Sequence, residues 1–298
     1  MRDYDESKRR QIFADNYRRI RDHNKEADKG VHTYRLGVNQ FTDMTDQEFS
    51  ATLRNVPPLP SSKRYKATQF VEMDEQPLDE TPDSFNWCDK GVVTMVKNQQ
   101  NSPTCFAFAA VDTIESHYKI GNPREQLLEL SVQQAIDGLN DPTVWRDGGD
   151  MRDVYRLAMR PTGGLALESD YPYIDRPGPN TVAQTRVTMT NYCGLDTGDE
   201  MALMGIVGTK GPVAVGLHIN GQKLRDYESG VFTDSTGDSN HAVVVVGYGT
   251  VDGRDYWLIK NSYSDTWGER GYMKLARNCH NVCGIANDCV YPIGVRPC

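Results

Sequence analysis

The stretch 56–82 does most to limit how this chain can fold. Pro57, Pro58, Pro60, Ser61, Ser62, Pro77 and Pro82 interrupt it, and it has little apolar periodicity. Proline fixes φ and removes a backbone donor, so the stretch reads as an extended, protease-accessible linker. It separates two segments of different character. Residues 1–29 contain neither Pro nor Gly, carry a net positive charge, and set Ile12, Phe13, Asn16, Tyr17 and Ile20 at helical spacing. That pattern predicts one basic, amphipathic helix. Residues 1–80 hold 14 basic and 15 acidic side chains, and the remaining 218 hold 19 and 26. A basic helix, a linker and an acidic body suggest a detachable segment, 1–80, held partly by charge on a body, 81–298.

The body divides again by pattern. Helices are expected over 105–120, which has no Pro or Gly and follows Pro103, and over 131–139 and 151–159. Strands are expected at 213–219, 242–248, 256–260 and 272–275, bounded by Gly and Asp. Helices first and strands second predict an α+β body of two unequal halves with a cleft between them. The longest apolar run, Ala242-Val243-Val244-Val245-Val246, falls far short of the roughly 18 residues a membrane helix needs. A net charge of −8 argues against nucleic acid as a partner. Met1 to Glu6 opens directly into charge without an apolar core, so the chain reads as cytosolic or as a secretory protein without its leader.

Seven cysteines are an odd number. In an oxidising compartment one thiol is left over, and a leftover thiol is a candidate for chemistry. A thiolate is favoured at a helix N-terminus, where unpaired N–H groups and the macrodipole favour negative charge. Only Cys105 occupies such a position. It also needs a base and a group to orient that base. Of the six histidines, His241 stands at the start of an apolar strand, and Asn261 follows the next strand in the same way. They lie 136 and 156 residues beyond Cys105.

Partners about 130–150 residues downstream are the arrangement of papain-type thiol proteases, and further motifs resemble that family in its cathepsin L-like zymogen form. Glu6, Arg10, Phe13, Asn16, Ile20 and Asn24 are similar to its prosegment helix signature, and Gly37-Val38-Asn39-Gln40-Phe41-Thr42-Asp43 to its second prosegment motif. Gln99 stands where the family keeps an oxyanion-hole glutamine. His241-Ala242-Val243, Asn261-Ser262-Tyr263 and Gly268-Glu269-Arg270-Gly271-Tyr272 follow in order. The resemblance implies a two-lobed papain-like body, a helical lobe and a β-barrel-like lobe, behind a helical inhibitory prosegment. It implies Cys105 as nucleophile, His241 as base and acid, Asn261 as orienter and Gln99 as oxyanion donor. Gly148 and Gly149 would admit substrate backbone, and Trp267 would lie on the leaving-group side. Met151, Gly216, Ala242 and Asp288 would line the S2 pocket, Asp288 where relatives with an acid accept basic P2 residues. Hydrophobic P2 side chains are therefore expected, with Arg or Lys tolerated. The bland reading of Asp288 is a solvated surface acid.

The resemblance further implies protein or peptide substrates, the chain's own prosegment as inhibitor, and possible cystatin-like or propeptide-like inhibitors. It implies a monomer with no metal and no cofactor, in the secretory pathway, lysosomal or secreted. Acidification would protonate Asp43 and body carboxylates and release the prosegment below about pH 5, with processing near 78–82. No Asn-x-Ser/Thr acceptor is present for a glycan.

Departures from the family sharpen the alternatives. Ser102-Pro103-Thr104-Cys105-Phe106 replaces the usual Cys-Gly-Ser-Cys-Trp, which alters the S1 side, and Tyr263 replaces a tryptophan, which predicts a wetter Asn261–His241 bond. A papain-fold scaffold without useful catalysis is the competing class. A Cys-His-Asp transferase is disfavoured because Asn261 stands in place of the acid. The family's usual bridges would fall at Ser102 with Arg146 and at Gly138 with the 174–180 loop, where cysteine is absent. Cys88, Cys193, Cys279, Cys283, Cys289 and Cys298 remain for up to three bridges, a Cys88–Cys193 link with the others pairing near the carboxy terminus being the expected arrangement. Cys279, His280 and Cys283, with Cys289, could instead suggest zinc, at a spacing unusual for it.

Overall fold

A computed structural model describes residues 6–53, 81–161, 163–179, 184–234, 237 and 239–298. The N-terminal segment forms α1 (Glu6–Ala27), β1 (Tyr34–Leu36) and α2 (Asp46–Ser50). Thr45 caps α2 in a reciprocal box with Glu48. The body follows with β2 (Phe85–Asn86), α3 (Cys105–Gly121), α4 (Val132–Asp137), α5 (Val144–Asp147) and α6 (Met151–Ala158). Next come β3 (Val187–Thr188), β4 (Asn191–Gly194), α7 (Glu200–Thr209), β5 (Val213–Ile219), α8 (Gly221–Asp226) and β6 (Tyr227–Phe232). The chain ends with β7 (Ser239–Val251), β8 (Arg254–Lys260), β9 (Tyr272–Ala276), β10 (Cys289–Ile293) and β11 (Arg296–Pro297). All the helices and strands expected from periodicity form. Most of the linker, including the expected processing junction up to residue 80, lies outside the described residues.

Eight strands run in the order β1-β6-β9-β8-β7-β5-β10-β4, with β2 added on β7. Among the described residues, only the β6–β9 pairing of this sheet is parallel. The apolar run in β7 is continuous because both its faces are buried. Val243 and Val245 join a core with Trp257, Leu217 and Tyr263, whereas Ala242, Val244 and Val246 join the core around α3. One strand thus carries period-2 side chains into two hydrophobic clusters and sets the seam between the lobes. The N-terminal segment is part of the first cluster, through Ile20, Tyr34, Leu36, Phe41, Phe49 and Leu53. Its β1 extends the sheet at β6, with Tyr34 opposite Gly230.

Across the seam runs a buried charge network. Lys97 Nζ reaches Asp112 Oδ1 at 2.7 Å and Glu115 Oε1 at 2.6 Å, and Lys260 Nζ reaches Asp112 Oδ2 at 2.8 Å. Burial pushes both carboxylates toward protonation. The two lysines overcome it at Asp112, whose pKa falls, but not at Glu115, whose pKa rises.

One sequence expectation is corrected here. All seven cysteines are free thiols, so the expected Cys88–Cys193 bridge and C-terminal pairings do not form. Cys88 Sγ lies beside the Tyr272 hydroxyl, while Cys193 lies on β4 next to its own strand's Gly194 carbonyl. Cys283 and Cys289 are buried against different carbonyls, those of Asp234 and Ile285, and burial pushes the Cys283 thiol up to about 12. Cys279 is exposed. Among the described residues these groups assemble no metal-holding cluster.

Candidate active site

Cys105 is the first residue of α3 and is fully buried. Pro103, also buried, lies just outside the helix, one residue before its N-cap Thr104. The free N–H groups of the first turn favour a thiolate at this position. Cys105 Sγ also accepts the Ala242 N–H at 3.4 Å, so the start of β7 packs directly onto the helix N-terminus. His241 is therefore brought beside Cys105 by the strand-to-helix packing that the two-faced β7 imposes. Its Nε2 lies 2.8 Å from Asn261 Oδ1. A carbonyl oxygen only accepts, so Nε2 carries the proton and Nδ1 is the nitrogen left to exchange one with a thiol.

Tyr263 stacks on the imidazole, with ring centroids 4.9 Å apart and planes inclined by 21°. Tyr263, His241 and Asn261 are all at most 2% exposed, so the expectation of a wetter Asn261–His241 bond is overturned for this form. The tyrosine ring covers the bond, and Phe41, Phe49 and Trp267 close edge-on around it. Burial, with the nearby Cys105 charge, holds the Tyr263 phenol well above its usual pKa, and it stays neutral. Trp267 sits behind this ring, its indole N–H donating to the Leu224 carbonyl at 3.0 Å.

Gln99 is held from both sides. Its Oε1 accepts the Ser262 hydroxyl at 2.7 Å, and its Nε2 donates to the Ser102 carbonyl at 3.0 Å and the Thr52 carbonyl at 3.1 Å. Thr52 belongs to the N-terminal segment, so a peptide carbonyl of that segment already occupies the amide donor. Thr52 is not in extended backbone. Its N–H and its hydroxyl both return to the Phe49 carbonyl, at 2.9 and 2.7 Å.

Gly148 has φ of +80°, a region that favours glycine. At Gly149 a Cβ would lie 2.7 Å from the Phe106 ring, so the aromatic after the nucleophile requires a bare backbone there. Met151 opens α6 and is buried, as is Ala242. Gly216 and Asp288 are adjacent, the Gly216 N–H donating to the Asp288 carbonyl at 2.9 Å. The Asp288 carboxylate, however, is taken by Arg152, which also binds Asp150 Oδ1 at 3.0 Å. Neither reading of Asp288 from sequence included this partner.

The N-terminal segment is fastened mostly around α8. Arg225 and Asp226 are fully buried and ion-paired to each other at 2.8 Å. Arg19 of α1 binds Asp226, and Asp46 accepts from Arg225 at 3.0 Å. The Asn16 side-chain oxygen accepts a further Arg225 bond. The picture of a basic helix on an acidic body is therefore too simple. Cations and anions alternate across the contact, while Arg10, Arg18 and Lys25 pair with acids of their own helix. Asp43 is bound within the segment itself, its main-chain carbonyl accepting from Arg9 of α1 at 2.8 Å. Asn39 donates to the Arg225 carbonyl and Gln40 to that of Tyr263. The motif around Gly37 thus grips the body beside the candidate base.

Sequence reasoning missed Thr52, Arg152, Tyr173 and Asp175. Each acts across a long separation in the chain through contacts that leave no periodic signal.

The chain is similar to known proteins along most of its length. Residues 81–293 match the papain family cysteine proteases, and residues 2–49 match the cathepsin propeptide inhibitor domain. The chain is 37% identical to cathepsin S of Mus musculus, covering 97% of this chain and 84% of that protein. It is 36% identical to digestive cysteine proteinase 1 of Homarus americanus, covering 97% and 88%. Among solved structures, the digestive procathepsin L2 proteinase of Tenebrio molitor larval midgut superposes with a TM-score of 0.83 at 35% identity, covering 98% of this chain and 94% of that one.

Proposed function

Since this chain belongs to the papain family of cysteine proteases and carries a cathepsin-type propeptide inhibitor domain, we propose that it is an endopeptidase zymogen working through Cys105, His241, Asn261 and Gln99. Residues 1–80 are the removable inhibitor and 81–298 the catalytic body. One observation carries the reading: the Gln99 amide, fixed by Ser262, donates to a peptide carbonyl beside the N-terminus of the helix that bears Cys105.

In the reaction, the Cys105 thiolate adds to the scissile carbonyl carbon and the carbonyl electrons move onto oxygen. Gln99 Nε2 and the Cys105 N–H receive that oxyanion, an effect worth about 3 kcal/mol per donor. Collapse breaks the C–N bond, and protonated His241 gives its proton to the leaving amine. His241 then takes a proton from water, which attacks the thioester and returns the thiol. Asn261 keeps the imidazole turned for both transfers.

The inhibitor presents Thr52 in a tight turn, so its carbonyl fills the oxyanion position without offering an extended scissile bond. Its removal frees the cleft, and acid drives that removal. Substrates are proteins and peptides with hydrophobic P2 side chains. Arg152 neutralises Asp288, so basic P2 residues are tolerated without preference. The digestive relatives support a secretory route, to lysosome or exterior.

The decisive experiment is acid treatment followed by labelling with a peptidyl epoxide. One label per molecule on Cys105, absent in Cys105→Ser and accompanied by peptide hydrolysis, is the expected result. A processed protein that neither labels nor cleaves would sink the endopeptidase reading.

A further inference from the structure

We propose that Asp175 and Tyr173 act as a clamp that positions the Gln99 amide and the residue before Cys105, so that they serve as positioning residues for oxyanion stabilisation. The inference rests on the endopeptidase reading and extends it.

The loop from Gln99 to Thr104 has to hold an amide donor and a helix start at once. Its internal bonds, Gln99 Nε2 to the Ser102 carbonyl and the Thr104 N–H to that same carbonyl at 2.8 Å, make the Ser102 peptide its pivot. The other side of that pivot is held from 73 residues away. Asp175 Oδ1 accepts the Ser102 N–H at 3.2 Å, and Oδ2 accepts the Asn101 N–H at 3.4 Å. Oδ1 also accepts the Tyr173 hydroxyl at 3.2 Å.

The single Tyr173 hydroxyl proton is shared between Asp175 Oδ1 and the Gln99 carbonyl, 3.0 Å away, and the phenol oxygen accepts from Thr104 Oγ1 at 2.9 Å. One carboxylate and one phenol therefore reach four residues of the loop: Gln99, Asn101, Ser102 and Thr104.

The clamp is itself braced. The Tyr173 ring packs edge-on to Phe108 of α3 at 5.0 Å and stacks on Trp145 at 6.2 Å, and the Tyr173 N–H donates to Glu168 at 2.8 Å. Asp175 has φ of +54°, a conformation uncommon outside glycine but tolerated by Asp and Asn. That backbone aims its carboxylate back at the loop. The two Asp175 bonds, at 3.2 and 3.4 Å, are longer than usual for a carboxylate acceptor. Their hold comes from one carboxylate accepting two successive N–H groups, which fixes the peptide between Asn101 and Ser102. A loosened Ser102 peptide would let the Gln99 amide drift, and displacements of about 1 Å in such donors are costly to the rate.

The test compares Asp175→Ala, Asp175→Asn and Tyr173→Phe in acid-processed protein. Asp175→Ala should lower kcat about tenfold to a hundredfold with KM within about twofold. Alkylation of Cys105 by iodoacetamide forms no oxyanion, so its rate should stay within about twofold of wild type. Asp175→Asn keeps the left-handed backbone and one acceptor for Ser102, and should recover kcat to within about fivefold. Tyr173→Phe should fall between them. Amide hydrogen exchange at Ser102 should quicken in Asp175→Ala by about tenfold or more.

Unchanged kcat in Asp175→Ala overturns the clamp. So does a joint fall of kcat and alkylation rate, which marks a general structural role, or unchanged exchange at Ser102. If the wild-type protein itself cleaves no peptide, the endopeptidase reading fails separately, and the exchange measurement alone decides whether Asp175 holds the loop.

Discussion

At the head of α6, Arg152 lies between Asp150 and Asp288 with only 5% of its side chain exposed. Burial opposes its charge, but Asp288 and Asp150 more than compensate and keep the guanidinium ionised. A basic P2 side chain entering this pocket must compete with an arginine that is already in place. Expected, then, is a P2 scan with fluorogenic dipeptides in which Arg gives no gain over Leu. Arg152→Met should free Asp288 and raise kcat/KM for P2 Arg relative to P2 Leu about tenfold. An unchanged P2 ratio in that variant would remove Asp288 from the pocket. The register after Cys283-Gly284-Ile285 set Asp288 beside Gly216, and the two are adjacent in the structure. The pairing of Asp288 with Arg152 was not legible, because these two residues lie 136 positions apart and neither belongs to a motif. Cys105, His241 and Asn261 were legible for the opposite reason, since each sits at or next to the end of an element that local pattern marks. Gln99, in the irregular stretch before α3, was reached through the family resemblance.

The elements that carry those residues are joined by more than apolar packing. Lys260 closes β8, next to Asn261, and its ammonium is fully buried against Asp112 of α3. This ion pair spans the same two elements that the candidate nucleophile and orienter start or follow. Lys260→Met would strand a buried carboxylate that Lys97 alone must neutralise. A loss of about 3 kcal/mol in unfolding free energy is expected, measured by urea denaturation at neutral pH. A loss below about 0.5 kcal/mol would mean the network contributes only locally. Periodicity placed α3, α6, β5 and β7 to within a few residues because each buries a regular face. The short elements β1, α2 and α8 escaped, since they are set by pairing and capping across the molecule and not by a face of their own. The disulfide expectation failed in a related way. Cysteine count constrains pairing only through geometry, and the fold leaves all six remaining thiols free.

For the whole molecule, the question is which groups loosen the N-terminal segment in acid. Glu48, bound to Arg9, has its pKa held down to about 2, mainly by that pairing. A depressed carboxylate contributes above its unfolded pKa and loses the contribution as pH falls toward about 2, so this pair, which ties α1 to α2 inside the segment, survives mild acid. His23 behaves differently. Burial lowers its pKa below the usual 6.5, the Tyr34 carbonyl bond opposing and the neighbouring His32 adding to the effect. The rings of His23 and His32 stack 4.1 Å apart, with Lys223, Asp234, Tyr34 and Glu26 around them. A base with a depressed pKa stabilises the folded contact above its unfolded pKa and withdraws that support as pH falls below about 6.5. His23→Phe keeps a stacking ring and cannot titrate, so processing followed across pH should shift to lower pH by about half a unit. An unshifted profile would place the trigger on other groups.

The pairing of β1 with β6 has a consequence for the product of processing. When β1 leaves, β6 becomes the border of the sheet, and its row of main-chain donors and acceptors is turned to water along with the apolar surface that Tyr34, Leu36, Phe41 and Phe49 had covered. An uncovered border of this kind is a template for strand addition. The freed protease therefore gains its cleft and a sticky flank in the same event, and its lifetime in solution depends on what next lies down along β6.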